Sequence, residues 1–356
     1  MMLHWQRQLA DAPVLVCIHG WGATGAIWRA VIGALPHYAT ATVDLPGFGA
    51  SPARVLAFEE LIRELANAIN SLGAGRSIYV LGWSLGGQIA AALTQQLPHL
   101  RGLITVASNP CFVQVDDWPT AMPADEFASF VEHFNHDASA TFKRFCALQS
   151  KGSRELKTLR NLMDKQLTAP TPEQQTVWSQ ALAWLALDQR PALQAFAKPQ
   201  LHLLAAKDAL VPANLPLQAF GEVQILAGYS HLLPLEAPAQ LARAIDVFIK
   251  THNSTGPNKN KVSKAFSHAA GAYEAIADVQ KTVASAVLKR LPSVANQRIL
   301  DVGTGTGALA KTLLAQGAEV MALDIAQGML AEAKKRCGGM ECPRGQAAVC
   351  KWKVGR

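Results

Sequence analysis

The 356-residue sequence has no long apolar run and no leader-like start. No stretch approaches the roughly 18 to 20 consecutive apolar residues that a membrane-spanning helix requires. The opening text, MMLHWQRQLADAPV, lacks the basic segment followed by an apolar one that marks a secretory signal. We therefore expect a cytoplasmic protein without a membrane partner.

Cysteine patterns that indicate disulfides or zinc are also missing. The six cysteines show no C-x-x-C spacing. His133, His136 and Asp137 form an H-x-x-H-D string, but no further ligand follows at a suitable spacing. We expect free thiols and no metal site.

Charge is scarce and unevenly divided. Charged residues make up 17% of the chain and hydrophobic residues 50%, a composition typical of a globular protein with a sizeable core. Residues 1–250 carry 18 Lys and Arg against 19 Asp and Glu, whereas residues 251–356 carry 15 against 7. The net positive charge belongs to the C-terminal part. We expect no nucleic-acid partner and make no prediction of oligomeric state.

Short apolar runs alternate with amphipathic segments over residues 1–250. The runs include PVLVCIHG, SIYVLGW and PQLHLLAAK, and helix-like segments cover 56–72, 85–97 and 236–250. This alternation predicts an α/β fold with a parallel sheet covered by helices on both faces. The interval of about 111–195 lacks a good strand, so we expect it to form a helical cap over the sheet.

Residues 82–86 read Gly-Trp-Ser-Leu-Gly, directly after a strand and directly before an apolar helix. This is the G-x-S-x-G pattern of a nucleophile elbow, in which the glycines permit a sharp turn. We predict that Ser84 is a nucleophile. The alternative is a serine in a purely structural turn.

A nucleophilic serine needs a base and an acid that orients the base, and at an elbow of this kind they follow in the order Ser, Asp, His. Asp208 lies just past the strand in LHLLAAKDALVP, and His231 lies just past the strand in VQILAGYSHLLP. We predict that Asp208 orients His231, which takes the proton of Ser84.

Two backbone N–H groups usually stabilise the oxyanion of an acyl-transfer reaction. Leu85, the residue after the nucleophile, supplies the first. His19-Gly20-Trp21-Gly22 follows an early strand, so the Trp21 amide is the second candidate. Alternatively, the Trp21 side chain only packs the loop or lines the pocket.

Several segments resemble the α/β-hydrolase family over residues 3 to about 250: IHGWG, VDLPGFGAS, GWSLGG and DALVP. TVASNPCF and RFCALQ are more specific and resemble the esterases that act on pimeloyl-acyl-carrier-protein methyl ester in biotin synthesis. One departure is Ala205, where the family usually has glycine. The resemblance implies a cofactor-free esterase and an acyl-carrier protein as partner. It also implies contacts with the acyl chain and ester by Trp21, Ser84, Leu85, Phe145, Gln149 and His231.

Residues 143–165 contain seven basic side chains and two acidic ones. Acyl-carrier proteins are acidic, so a cationic surface near the pocket mouth suits delivery of the acyl arm. We predict that the carrier docks on Lys143, Arg144, Lys157 and Arg160. The spacing of these residues allows them to share one side of a helix, unless Gly152 breaks that helix. The alternative is an ordinary solvated face.

The polar text THNSTGPNKNK predicts a linker at 251–261, after which residues 262–337 read as one βαβ unit. Its strand RILDV leads into the loop Gly303-Thr304-Gly305-Thr306-Gly307, and a second strand ends at Asp324. An acidic residue 21 positions after Gly303 can bind ribose hydroxyls. The residues alone are compatible with NAD, a nucleoside or no ligand.

The D-x-G-x-G-x-G spacing and AFSHAAGAYEAIADVQ resemble class I S-adenosylmethionine-dependent methyltransferases, including those that methylate malonyl-acyl-carrier protein. The resemblance implies cofactor contacts by Asp301, Gly303, Gly305, Gly307 and Asp324. Family members have several more strands, so we expect an incomplete Rossmann-like unit without productive cofactor binding or methyl transfer. Residues 338–356 are expected to form an unstructured, unrelated tail.

Three functions follow from these patterns. The first is a serine esterase for the methyl ester of a carrier-bound dicarboxylic acyl chain. The second is a broader short-chain carboxylesterase or lipase with the same triad. The third is a carrier-binding scaffold in which catalysis is incidental.

Overall fold

Two sheets organise the chain, one in each of two units, Met1–Asn253 and Ser254–Arg356. The computed structural model describes residues 3–8, 10, 12–72, 75–253, 259–271, 278–338 and 349–352. The strands of the first unit are β1 (Trp5–Gln8), β2 (Val14–Ile18), β3 (Ala39–Val43), β4 (Ile78–Trp83), β5 (Leu100–Val106), β6 (Gln200–Ala205) and β7 (Glu222–Leu226).

The first sheet has the order β1-β3-β2-β4-β5-β6-β7, and β2 to β7 are parallel. Every residue of β2, β3, β4 and β6 is buried. Continuous apolar runs suit strands that are covered on both faces, because no side of such a strand meets water. The predicted parallel sheet is confirmed.

Strand β1 was not predicted from the sequence. Its residues, Trp-Gln-Arg-Gln, are largely polar and three of the four are exposed. It pairs antiparallel with β3, from Trp5 opposite Val43 to Gln8 opposite Thr40. The open edge of β3 supplies backbone partners that no local sequence pattern reveals.

Helices cover the sheet and form the predicted insertion between β5 and β6. Leu61, Leu65 and Ile69 are buried on one face of the second helix, at the spacing of an amphipathic helix. The helices are α1 (Arg29–Gly33), α2 (Phe58–Leu72), α3 (Leu85–Leu93), α4 (Ala124–His136), α5 (Ala138–Gln149), α6 (Leu156–Gln166), α7 (Pro172–Leu185), α8 (Arg190–Ala195), α9 (Leu233–Glu236) and α10 (Pro238–His252).

The second unit contains a three-stranded sheet of order β10-β9-β8, in which β8 and β9 are parallel. Leu300 and Val302 on β8 are 55% and 72% exposed, so one apolar face of this edge strand meets solvent. The elements are α11 (Lys259–Ala269), α12 (Asp278–Leu288), β8 (Arg298–Val302), α13 (Ala308–Ala315), β9 (Glu319–Leu323), α14 (Gln327–Cys337) and β10 (Val349–Trp352).

The structure differs from the sequence prediction at both ends of this unit. The expected linker at 251–261 is shorter, because α10 continues to His252 and α11 begins at Lys259. The expected unstructured tail contains β10, which pairs antiparallel with β9. An unpaired edge of β9 provides hydrogen-bonding groups for this segment, which explains a strand where the sequence shows little periodicity. The rest of the tail beyond Gly338 lies outside the described residues.

None of the helices in the described ranges combines the length and the apolar character needed to cross a bilayer.

Candidate active site

Ser84 lies in the sharp turn between β4 and α3. Its φ of 54° and ψ of −122° form a conformation that residues other than glycine rarely adopt. The flanking glycines are sterically required. A Cβ on Gly82 would lie 2.1 Å from the Gly86 carbonyl oxygen, and one on Gly86 would lie 2.4 Å from the Ile18 oxygen. The turn therefore presents the serine from a crowded junction of strand and helix.

The structure brings the three predicted triad residues together. His231 Nε2 lies 3.0 Å from Ser84 Oγ, and His231 Nδ1 lies 2.8 Å from Asp208 Oδ2. The His231 and Asp208 side chains are both fully buried. The other Asp208 oxygen, Oδ1, accepts the N–H groups of Leu210 and Val211 at 2.8 and 2.9 Å. These bonds fix the carboxylate at the end of β6.

The hydrogen-bond pattern selects one tautomer of neutral His231. The carboxylate of Asp208 only accepts hydrogen bonds, so Nδ1 carries the proton. Nε2 is then an acceptor for the Ser84 hydroxyl. This arrangement is the one that the predicted role of His231 as a base for Ser84 requires.

The two predicted oxyanion donors come from segments that meet at Ser84. Leu85 is the first residue of α3, where a backbone N–H has no acceptor within its own helix. Gly20 packs against the nucleophile, since a Cβ there would lie 2.9 Å from Ser84 Cβ. The loop that carries the Trp21 amide thus adjoins the turn that carries Ser84.

His19 orients this loop. This role was not predicted from the sequence, although the His19-Gly20 pair directly precedes Trp21. His19 Nε2 accepts the Leu45 N–H at 2.9 Å, so Nδ1 carries the proton and donates to the Gly20 carbonyl at 2.7 Å. The Gly20 C=O and the Trp21 N–H belong to one planar trans peptide and point in opposite directions. Holding the carbonyl on His19 therefore directs the Trp21 N–H away from His19.

The Trp21 side chain is buried in an aromatic cluster. Its Nε1–H donates to the Trp178 carbonyl at 2.9 Å. Its ring makes edge contacts, with centroid distances of 5.1 to 6.0 Å, to Phe130, Phe134, Phe142, Phe145 and Trp178. The indole packs the loop against the cap helices. The Trp21 side chain is only 2% exposed, as expected for the packing alternative.

Phe145 and Gln149 lie one helical turn apart near the end of α5. The Phe145 ring centroid is 5.1 Å from that of Trp21, and Gln149 is only 1% exposed. Phe145 thus lies beside Trp21, and Gln149, the predicted polar contact of the ester, is buried on the same helix.

The four predicted docking residues are all exposed but do not share one helix. Lys143 and Arg144 lie on α5, whereas Lys157 and Arg160 lie on α6. Gly152, with a φ of 93°, sits in the turn between the two helices. The single-helix prediction is wrong because this left-handed turn ends α5.

A cavity of about 340 Å³ adjoins the basic helix α6 and the loop that carries His231. Arg154, Thr158 and Leu162 line it from the cap side, and Tyr229 and Glu236 line it from the His231 side. The residues that line this cavity include none of the four predicted docking residues and none of the predicted triad.

The glycine loop of the second unit has space beside its backbone. Gly303, Gly305 and Gly307 have φ values of 76°, 56° and 79°. A Cβ on Gly303 or Gly305 would meet no atom within 4 Å. This open cradle fits one wall of a nucleotide site.

The two carboxylates predicted to contact a cofactor, Asp301 and Asp324, already have hydrogen-bond partners in and near the loop. Asp301 Oδ2 accepts the Thr304 hydroxyl at 2.7 Å, and Asp324 Oδ2 accepts the Gly305 N–H at 2.9 Å. Asp324 Oδ1 also accepts the Ala326 N–H at 2.8 Å. Free lone pairs remain on each carboxylate for a ligand hydroxyl or amine.

Within the ranges that the structure describes, no three His, Cys, Asp or Glu side chains are grouped to hold a metal ion.

The burial of two histidines, His19 and His202, predicts that the folded protein loses stability in acid. Burial lowers the pKa of His19 to about 4, with the Gly20 hydrogen bond and the Asp44 charge opposing the shift, and burial lowers the pKa of His202 to about 4. Both groups bind fewer protons when folded, so their stabilisation is present above the unfolded pKa of 6.5 and is lost as the pH falls towards 4. We expect the free energy of unfolding to decrease by roughly 2 to 3 kcal/mol per histidine from pH 7 to 4.

Urea unfolding at a series of pH values measures this dependence. His202→Gln should flatten the slope below pH 6.5. The same substitution at the exposed His99, which removes no buried imidazole, is the control. Equal slopes for wild type and His202→Gln would contradict the prediction.

Comparisons with known proteins match both parts of the chain. The model of the alpha/beta hydrolase family matches residues 15–244, and that of a methyltransferase domain matches residues 299–353. The second match extends through β10, so the tail is not unrelated to the unit before it. The solved structure of a bromoperoxidase from Bacillus anthracis superposes with a TM-score of 0.62 at 19% identity, covering 70% of this chain and 95% of that one. This likeness shows the fold alone.

Three relatives match different lengths of the chain, two of them across both units and one over 69% of it. The chain is 38% identical to the "Biotin biosynthesis bifunctional protein BioHC" of Cellvibrio japonicus, over 95% of this chain and 69% of that protein. It spans 62% of the corresponding protein of Saccharophagus degradans. It is 34% identical to the "Pimeloyl-[acyl-carrier protein] methyl ester esterase" of Pectobacterium carotovorum, over 69% of this chain and 95% of that protein. With its serine elbow, parallel sheet and family match, the chain belongs to the α/β-hydrolase family.

Proposed function

We propose that this chain is a serine carboxylesterase that hydrolyses the methyl ester of pimeloyl-acyl-carrier protein in biotin biosynthesis, in the cytoplasm. The observation that carries the proposal is the hydrogen-bonded series from Ser84 through His231 to Asp208. The relatives that cover the hydrolase unit carry that activity in their names, which supports the choice of substrate.

The geometry accounts for each step of ester hydrolysis. Ser84 Oγ attacks the ester carbonyl carbon while its proton passes to His231 Nε2. The Trp21 and Leu85 N–H groups stabilise the oxyanion. The bond to the methoxy oxygen then breaks, and His231 returns the proton to release methanol. A water molecule attacks the acyl-enzyme in the same way, which releases the free acid and restores Ser84.

The cap supplies an apolar environment for the acyl chain. The buried Trp21 ring and the half-buried Phe145 ring pack together beside the loop of the predicted oxyanion donor, and an aromatic environment favours methylene groups over water. Gln149, buried on the same helix as Phe145, offers amide groups for the ester. An apolar environment with one amide group is compatible with an acyl chain that ends in a methyl ester.

The direct test is incubation of the purified chain with pimeloyl-acyl-carrier-protein methyl ester. Mass spectrometry should detect conversion to the free acid with release of methanol. A broad carboxylesterase would hydrolyse small esters without preferring the carrier-bound one. A protein that binds the carrier without hydrolysing either ester would be a scaffold.

The acyl-carrier protein is the partner in this proposal, and the exposed cations on α5 and α6 are its docking surface. The test changes four residues to glutamate: Lys143, Arg144, Lys157 and Arg160. This quadruple variant should lower kcat/KM for the carrier-bound ester by about 10- to 100-fold, because attraction to an acidic carrier becomes repulsion. Hydrolysis of a small aryl ester should change less than about twofold, because that substrate makes no carrier contact.

A matched control reverses four exposed arginines elsewhere in the same unit: Arg7, Arg29, Arg63 and Arg243. This control should retain most carrier-dependent activity. Equal losses in the two quadruple variants, or equal losses on the two substrates, would reject the docking surface.

The second unit is, in this proposal, part of a methyltransferase without methyl transfer of its own. S-adenosylmethionine, when bound to a complete domain, supplies a methyl group. Residues that would hold it here are Asp301, Gly303, Gly305, Gly307 and Asp324. The described part of the unit has three strands, and its glycine loop is bounded by the exposed edge strand β8. Calorimetric titration with S-adenosylmethionine measures whether this unit binds the cofactor. Methylation of malonyl-acyl-carrier protein by this chain would contradict the proposal.

A further inference from the structure

Trp83 joins the nucleophile to the loop that carries the base. It is the last residue of β4, directly precedes Ser84 and is fully buried. Its indole Nε1–H donates to the His231 carbonyl oxygen at 2.9 Å. The indole and imidazole centroids are 5.4 Å apart, with an angle of 45° between the rings. Trp83 therefore contacts both the main chain and the ring of His231.

The same indole also bounds the oxyanion loop. A Cβ on Gly20 would lie 2.9 Å from Trp83 Cε3, the same distance as from Ser84 Cβ. One rigid side chain thus contacts three segments: the nucleophile turn, the loop before Trp21 and the loop of His231. These segments are far apart in sequence, and Trp83 and His231 are separated by 148 positions.

A second anchor holds the residue before the base. The Ser230 N–H donates to Glu236 Oε2 at 2.8 Å, and the Ser230 hydroxyl donates to the same oxygen. Glu236 fixes the start of the loop from α9, whereas Trp83 fixes the carbonyl of His231 from the nucleophile strand. The Trp83 bond holds the main chain of His231 to the strand before Ser84, whereas the contact between His231 Nε2 and Ser84 Oγ joins the two side chains.

We propose that Trp83 is a positioning residue that sets the distance and angle between His231 Nε2 and Ser84 Oγ. Catalytic groups need placement within about 0.5 Å, and a misplacement of about 1 Å can reduce the rate by about 100-fold. Without the indole N–H, the His231 carbonyl loses a buried partner and its loop moves relative to the elbow. The proposal rests on the proposed serine-esterase function but not on the identity of its natural substrate.

The test compares Trp83→Phe with Trp28→Phe. Both indoles are fully buried, and Trp28 Nε1 has no hydrogen-bond partner in the described part of the chain. Each change removes the same ring volume, but only the first removes a hydrogen bond to His231. The rate of hydrolysis of a small aryl ester is divided by the concentration of active sites, which is titrated with a fluorophosphonate. Unfolded protein therefore does not contribute to the measured kcat.

We expect Trp83→Phe to lower kcat by about 10- to 100-fold with little change in KM, and Trp28→Phe to stay within about threefold of wild type. Site-specific replacement of Trp83 by β-(3-benzothienyl)alanine, in which sulfur replaces the N–H, keeps the ring shape and should also lower kcat about tenfold or more. This second variant remains informative if Trp83→Phe fails to fold.

Equal kcat values for the Trp83 and Trp28 variants would overturn the proposal, as would wild-type kcat in the benzothienyl variant. Failure of the proposed function gives a different result. A wild-type chain that hydrolyses the aryl ester but not pimeloyl-acyl-carrier-protein methyl ester contradicts the assigned substrate and leaves the comparison of tryptophans readable.

Discussion

Ser84→Ala should lower the hydrolysis of every ester substrate by roughly 10⁴- to 10⁶-fold. Ser84 Oγ lies 3.0 Å from His231 Nε2. Alanine cannot form an acyl-enzyme, and removing a nucleophile of this kind costs about that factor in serine hydrolases. The measurement is the initial rate with the carrier-bound methyl ester and with an aryl ester.

The Ser84→Ala variant should remain folded. Alanine and serine meet the same strain at a φ of 54°, so the change adds no new backbone cost. Ser71→Ala, on the exposed end of α2, is the control and should keep wild-type activity. Retention of a tenth or more of the activity by Ser84→Ala would remove the serine mechanism.

Asp208→Asn should lower kcat/KM by roughly 10³- to 10⁴-fold although the two side chains have the same shape. The Leu210 and Val211 N–H groups require an oxygen at the position of Oδ1. An asparagine would therefore keep its oxygen there and turn its NH₂ group towards His231 Nδ1. The imidazole would then carry its proton on Nε2, where it cannot accept the proton of Ser84.

Steady-state hydrolysis of the aryl ester measures this effect, with circular dichroism as a check on folding. Asp246→Asn is the matched control, because Asp246 binds His37, Tyr38 and Lys250 at the surface of α10. That control should keep its activity. A loss of less than about tenfold in Asp208→Asn would show that the acid does not set the tautomer of His231.

The sequence predicted those parts of the molecule whose patterns are local. Six strands of the first sheet follow from apolar runs, and the Ser84 turn follows from glycines that leave no room for a Cβ. Asp208 and His231 could be proposed because residues at the carboxyl ends of parallel strands converge on one edge of the sheet. Their distances from each other could not be predicted.

Contacts between distant segments escaped the sequence analysis. The tautomer of His19 depends on the Leu45 N–H, and the role of Trp83 depends on the carbonyl of His231. Strands β1 and β10 form because neighbouring strands leave edges open, not because their own residues show strong periodicity. The basic stretch divides between two helices at Gly152, which changes how its cations can meet a partner.

By itself, the sequence determined the α/β-hydrolase fold and the presence of a second, methyltransferase-like segment, and it predicted which residues act as nucleophile, base and acid. Periodicity and turn chemistry act over a few residues, so they are legible along the chain. Only the tertiary structure decided how the oxyanion loop, the nucleophile turn and the His231 loop are held against one another. The hydrogen bond between Trp83 and His231 joins residues 148 positions apart. Packing of the whole sheet brings such residues within reach of each other.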